Sequence, residues 1–244
     1  MDQAIVVNRP EAQTDGGKDS LIASPWHTVF TVCFLAIGAY WGTIWAARSR
    51  AGLGPSRPYL YLRIIFLEFV TLGLVAAGVR LRGVSLQTVF GDRWKSAVEF
   101  FRDLGLGICL LLLTTVLVSV IGGHQRGSSP DQSIGYLLPQ GSLEMALWMA
   151  VSISAGICEE ALYRGYLQRQ LGAITRNSWV GIVLSSAAFG GVHIYQGVKR
   201  ASVIAVSAVL FGWFAHWRKT VRPGMFAHAL QDGIAPLLLK MMRR

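Results

Sequence analysis

Charged side chains are scarce in this chain of 244 residues, where Asp, Glu, Lys and Arg together make up 15%. A soluble domain of average composition carries about 25% charged residues. Hydrophobic residues make up 52%, and they are clustered in long blocks rather than spread at the spacing of a soluble core. This composition excludes an ordinary soluble fold and predicts a multi-pass membrane protein.

Cysteine is also scarce, and the three present, Cys33, Cys109 and Cys158, all lie inside apolar blocks without paired spacing. Their pattern excludes a disulfide framework or a zinc knuckle. The first 24 residues are polar, contain four acidic side chains and lack the basic start and short apolar core that are typical of a signal peptide. We therefore predict a disordered N-terminal tail over 1–24 and a single integral membrane domain over 25–244.

Seven apolar blocks are long enough to consider as membrane helices, since about 17–20 apolar residues cross the hydrocarbon layer. They predict an all-α fold, a transmembrane bundle of about seven to eight helices, placed in the cell membrane. The blocks lie near 29–47, 59–79, 104–121, 143–161, 178–195, 201–217 and 223–239.

The net charge of +10 comes from basic residues at the ends of the blocks, such as Arg48, Arg80 and Arg218. This placement suits contact with lipid headgroups, whereas a nucleic-acid-binding protein gathers its basic residues on one face. The expected partner is therefore the lipid bilayer and not nucleic acid. Between the second and third blocks, the mixed segment 80–103 indicates either an amphipathic interfacial helix or an ordinary connector.

The second block contains two ionisable residues, Arg63 and Glu68. Their separation of five fits the i,i+4 contact of a helix poorly. We expect Arg63 to reach the interface by extending its side chain, and Glu68 to have a structural partner inside the bundle.

Two adjacent glutamates, Glu159 and Glu160, end the fourth block, and Arg164 follows one turn later. An ionised carboxylate at the centre of a bilayer costs about 2.5–3.5 kcal/mol on insertion scales, so a pair indicates function. On a helix Glu160 and Arg164 form a favourable i,i+4 ion pair. Glu159, about 100° away, is then left to face the bundle interior as a general base.

Two later blocks add imidazoles. His193 follows Gly190 and Gly191, which allow a neighbouring helix to approach closely. His228 and Asp232 are i,i+4 and share one helix face, where the carboxylate can orient the imidazole. One acid and two histidines can activate a water and stabilise an oxyanion. They can instead ligate a divalent metal such as zinc, through Glu159, His193 and His228.

The order Glu-Glu-x-x-x-Arg, Phe-x-x-x-His and His-x-x-x-Asp on successive apolar segments resembles a known family. This is the CaaX protease and bacteriocin-processing family, also labelled CPBP or Abi, whose members are intramembrane endopeptidases related to the type II CaaX prenyl protease. The resemblance covers about 143–235, which it marks as the catalytic core. It implies a peptide or protein substrate, lipidated or not, and leaves the glutamic and the metal-dependent mechanisms both open.

Residue by residue, the resemblance implies that Glu159 is the general base with His193 as its partner. Glu160 and Arg164 take the supporting positions, and His228 takes the position that stabilises the oxyanion. Asp232 stands where many members have asparagine, and an ionised aspartate cannot donate a hydrogen bond.

Two other functions compete with an endopeptidase. The Asp232 difference keeps open a non-catalytic membrane binding or immunity protein with the same fold. A proton-coupled transporter would also place acids and histidines at depth, but it is disfavoured because the chain shows no internal repeat with interrupted helices.

Overall fold

A computed structural model describes residues 20–122 and 134–242, with no statement on the side chains of 239–242. The described residues form helices and connecting turns and contain no strand. Nine α-helices follow each other in this order: α1 Pro25–Arg50, α2 Arg57–Leu81, α3 Gln87–Phe90, α4 Ala97–Gly122, α5 Ser142–Glu160, α6 Gln168–Thr175, α7 Ser178–Val192, α8 Val198–Arg218 and α9 Arg222–Met242. A π-helix, Ala161–Leu167, joins α5 to α6, and short 3₁₀ turns occupy Gly135–Leu137 and Ile194–Gln196.

The prediction of an all-α membrane bundle is confirmed. Each of the seven apolar blocks lies on its own helix of 15 residues or more in the described chain. Among the described residues, five helical stretches are long and apolar enough to cross a membrane, while α7 is a shorter apolar helix. The five are Pro25–Arg50, Arg57–Leu81, Ala97–Ile121, Ser142–Thr175 and Val198–Arg218.

The continuous stretch from α5 through the π-helix to α6 lies at the centre of the bundle. Helix α5 packs on α2 and α9, and α6 packs on α7, which in turn packs along α8. Every residue of the π-helix is buried. Its side chains, including Tyr163 and Tyr166, form the main hydrophobic core with Val79 of α2, Val89 of α3 and Phe189 of α7.

Glycine permits the closest of these helix contacts. A Cβ atom on Gly190 would lie 2.6 Å from Cβ of Ala205 in α8, so only glycine allows α7 and α8 to approach this closely. The expectation from sequence is confirmed for Gly190. It is wrong for Gly191, where an added Cβ would meet nothing within 4 Å.

The N-terminal tail predicted over 1–24 includes a segment that is ordered. Residues 1–19 lie outside the described chain. Ile22 and Ala23 are buried, and their backbone N–H groups both donate to Oε1 of Gln170 at 3.0 and 3.2 Å. Gln170 also donates through Nε2 to the Ala23 carbonyl at 2.7 Å. The prediction of disorder is therefore wrong for this part of the tail, because a buried amide on α6 binds its backbone.

The 80–103 segment does not form one amphipathic helix. It contains the end of α2, the short α3, a non-helical stretch and the first turns of α4. Gly91 has a φ of +87°, which ends α3 because the left-handed region interrupts a right-handed helix. The connector interpretation is the one that the structure supports.

A buried carboxylate joins α4 to the α8–α9 turn. Asp103 is 0% exposed, and its Oδ2 accepts a hydrogen bond from Nε1 of Trp94 at 3.0 Å. Three arginines also contact this carboxylate: Arg222 at 3.0 Å, Arg102 at 3.7 Å and Arg218 at 3.9 Å. Asp103 therefore neutralises basic side chains from three different segments.

We expect Asp103→Asn to lower the free energy of unfolding by about 3 kcal/mol, because it leaves the clustered guanidinium groups without a negative charge. Thermal unfolding in detergent measures the loss. The matched control is Glu99→Gln on the same helix, whose exposed carboxylate accepts from the backbone N–H of Lys95. The control should cost under about 1 kcal/mol, and equal losses in the two variants would contradict the prediction.

Candidate active site

Glu160 is the buried carboxylate of the site, with a side chain 1% exposed. It ends α5, and Arg164 lies four residues later in the π-helix. The NH1 group of Arg164 donates to Oε1 of Glu160 at 2.8 Å, as the i,i+4 spacing predicted. The absence of a side chain at Gly224 makes room for the carboxylate, since a Cβ there would lie 2.9 Å from Oε2.

The guanidinium of Arg164 lies between two aromatic rings. Its Cζ is 4.5 Å from the ring centroid of Phe189 and 5.2 Å from that of Phe211. Aromatic faces attract a cation and shield it from solvent. The packing fixes Arg164 between α7 and α8 and thereby fixes the orientation of Glu160.

The imidazole of His228 lies among three carboxylates. Its Nδ1 is 3.0 Å from Oε1 of Glu160, the same oxygen that Arg164 binds. Its Nε2 is 3.7 Å from Oε2 of Glu159 and 3.5 Å from Oδ2 of Asp232. The shared helix face of His228 and Asp232 is thus as predicted, but the shortest contact of the imidazole is with Glu160.

Glu159 and Asp232 lie at the accessible edge of this cluster. Their side chains are 24% and 39% exposed, in contrast to the fully buried Glu160. Oε2 of Glu159 is itself buried and has no hydrogen-bond partner among the described residues. A carboxylate with a desolvated oxygen beside an imidazole is suited to accept a proton.

His193 lies at the end of α7, where it caps the helix. Its Nδ1 donates to the Phe189 carbonyl at 2.8 Å, which assigns the proton to Nδ1 because a carbonyl only accepts. Nε2 is then the nitrogen with a free lone pair. In the described chain no hydrogen bond or ion pair joins His193 to Glu159. Phe189 contacts both histidines, with its ring centroid 4.7 Å from that of His193 and 5.9 Å from that of His228.

The alternative of a zinc site through Glu159, His193 and His228 finds no matching geometry. Among the described residues, no group of three His, Cys, Asp or Glu side chains is arranged to hold a metal ion. Glu159 and His228 meet at the cluster, with 3.7 Å between Oε2 and Nε2.

Glu68 of α2 is close to the site although the sequence assigned it only a structural partner. Oε2 of Glu68 is buried without a hydrogen-bond partner among the described residues, and the carboxyl group lies near Ser154 and within electrostatic range of Glu159. Arg63 does not pair with it, because the guanidinium of Arg63 lies over the ring of Trp45 at 5.0 Å. Glu68 lies seven residues after the fully buried Tyr61, so both are on the side of α2 that faces the bundle.

These observations define a multi-pass helical membrane protein with a site of carboxylates and imidazoles enclosed by its helices. Residues 141–234 match the family model described as type II CAAX prenyl endopeptidase Rce1-like. The comparisons with curated proteins and with solved structures gave no match. The matched segment begins just before α5, ends within α9 and contains Glu159, Glu160, His193, His228 and Asp232. This segment, 94 of the 244 residues, is therefore similar to the CAAX protease family, and the match supports an intramembrane protease of the CAAX type.

We expect Arg164→Met to lower the free energy of unfolding by about 3–5 kcal/mol, because it leaves the Glu160 carboxylate buried without its cation. The double variant Arg164→Met, Glu160→Met should recover most of this loss, since it removes both charges and keeps similar volumes. Unfolding in detergent, followed by circular dichroism, compares the two. A double variant no more stable than the single one would show that the pair is not the source of the loss.

Proposed function

We propose that this protein is an intramembrane endopeptidase that hydrolyses a peptide bond in or near the membrane through a water molecule activated by Glu159. The observation that carries the proposal is the contrast between two neighbouring acids. Glu160 is 1% exposed and forms an ion pair with Arg164, whereas Glu159 is 24% exposed and has no arginine partner among the described residues. Glu160 therefore organises the site, and Glu159 is available to react.

In the first step Glu159 takes a proton from water while the water oxygen attacks the carbonyl carbon of the peptide bond. His193 supports this step, because its Nδ1–H is bound to the Phe189 carbonyl and its Nε2 can accept a hydrogen bond from the O–H that the water retains. The product is a tetrahedral intermediate with a negative oxygen. In the second step the C–N bond breaks, and the proton held by Glu159 passes to the departing amine.

His228 is the proposed donor to the negative oxygen. An imidazolium donates from both nitrogens, and Nδ1 of His228 is already directed at Glu160. Its Nε2 faces the accessible edge formed by Glu159 and Asp232, where the substrate carbonyl would be placed. Asp232 orients the imidazole from this side. A fixed donor at the developing charge contributes about 2.7–4 kcal/mol to acyl-transfer catalysis.

We expect Glu159→Gln to lower the rate of peptide cleavage by a factor of about 10² or more, because glutamine cannot take the proton of the water. Detergent-purified protein and a quenched fluorescent peptide panel, with and without a prenylated C-terminal cysteine, provide the assay. The control variant is Glu144→Gln, which lies on the same helix α5 in a partly exposed pair with Arg57. Cleavage that persists in Glu159→Gln at the wild-type rate would contradict the role of Glu159.

We expect Asp232→Asn to keep cleavage within about tenfold of the wild type, because asparagine can still contact His228 and can also donate to the oxyanion. Asp232→Leu should lose more activity, since leucine can neither orient the imidazole nor donate. The two rates are compared in the same peptide assay, with thermal unfolding as a check on folding. A loss in Asp232→Asn as large as in Asp232→Leu would show that the negative charge itself is required.

A further inference from the structure

The connection between α2 and α4 lies where two apolar helices leave the membrane on the same side. The apolar stretch of α2 ends at Leu81, and that of α4 begins at Ala97. Leu81 and Val98 are 88% and 76% exposed, so both are open to contact with lipid. Trp94, a residue type enriched at membrane interfaces, lies between them in sequence and is also exposed. The 82–96 connection is therefore at the level of the lipid headgroups.

A cavity of about 460 Å³ opens in this connection. Arg80, at the end of α2, and Arg93, before α4, line it together with the polar side chains of Ser85 and Gln87. Val84 and Leu86 complete the lining and are partly buried. A cavity with two guanidinium groups and two neutral hydrogen-bonding side chains is suited to an anion.

The two arginines of the cavity form no ion pair among the described residues. This distinguishes them from Arg102, Arg218 and Arg222, which contact Asp103. The Oγ of Ser85 accepts from the backbone N–H of Gln87 at 3.3 Å, so the hydroxyl hydrogen is free to donate.

Two acidic residues lie nearby, and neither lines the cavity. Asp92 precedes Arg93, and its backbone carbonyl binds Arg222. Glu99 uses its carboxylate to accept from the backbone N–H of Lys95. The lining itself thus carries two positive charges and no negative one.

We propose that this cavity binds the phosphate group of an anionic phospholipid. Guanidinium groups form paired hydrogen bonds with phosphate oxygens, and Ser85 and Gln87 can donate to the remaining ones. The exposed apolar side chains of Leu81 and Val98 border the connection and can contact the acyl chains of the same lipid. Basic pockets between membrane helices bind anionic headgroups in this way.

The cavity is connected to the candidate active site through α3. Leu86 and Val89 pack in the same core as the π-helix. A Cβ on Gly165, the residue after Arg164, would lie 2.4 Å from the Val89 carbonyl oxygen, so α3 and the π-helix are in direct backbone contact. A bound lipid that holds the 82–96 connection in place therefore stabilises the segment that positions Arg164.

The test measures lipid binding to the full chain in detergent by native mass spectrometry, with phosphatidylglycerol and phosphatidylcholine as probes. We expect tighter binding of phosphatidylglycerol, with an affinity that falls about 10- to 30-fold in the double variant Arg80→Gln, Arg93→Gln. The control is Arg82→Gln, Lys95→Gln, which removes the same charge from the same connection without altering the lining. It should bind like the wild type.

Equal losses in the two double variants would overturn the proposal, because they would show general attraction by a basic surface. Equal affinity of the wild type for the two lipids would overturn it as well.

A third arm adds inorganic phosphate and records thermal unfolding. Stabilisation of the wild type by millimolar phosphate, equal to that by phosphatidylglycerol and lost only in Arg80→Gln, Arg93→Gln, would identify a free anion and overturn the lipid as the ligand. Because binding and unfolding do not depend on cleavage, a failure here is distinct from a failure of the proposed peptidase activity.

Discussion

The enclosed carboxylate of Glu160 is the group on which the arrangement of the site depends. A carboxylate removed from water inside a membrane bundle is costly unless a cation and hydrogen bonds compensate it. Arg164 from the π-helix and His228 from α9 both bind its Oε1. The contact that neutralises the charge therefore also fixes α9 against the end of α5. Because Nδ1 of His228 is held in this way, Nε2 is directed towards Glu159 and Asp232.

The Glu160–Arg164 ion pair lies in the packed environment of the π-helix that follows Glu160. A π-helical turn widens the backbone, and such turns are found frequently at functional sites. All seven residues from Ala161 to Leu167 are buried, so this segment is the part of the central helix that other elements cover most completely. Phe189 and Phe211 enclose the guanidinium of Arg164, while α3 packs on the opposite backbone at Gly165. The guanidinium of Arg164 is thus held by packing as well as by its ion pair with Glu160.

Local rules predicted much of this protein from its sequence. Apolar blocks predicted the long helices, because a chain in lipid must satisfy its backbone hydrogen bonds internally. The i,i+4 rule predicted the Glu160–Arg164 pair and the common face of His228 and Asp232. The contact between His228 and Glu160 was not predictable in this way, since it joins residues 68 positions apart and depends on how two helices cross. The ordered end of the N-terminal tail was missed for the same reason, because its partner, Gln170, is 147 positions from Ala23.

The different surroundings of Glu159 and Glu160 follow from the geometry of the helix. Successive helical residues point about 100° apart, so two adjacent acids cannot share one environment. Glu160 points to Arg164 and is sealed, while Glu159 points to the side where the exposed Asp232 and Nε2 of His228 lie. The proposed reaction places the peptide on that side of the imidazole. Glu159, the acid proposed to react, is therefore the one that solvent can reach. Its position relative to His228 is maintained by Glu160, which is buried.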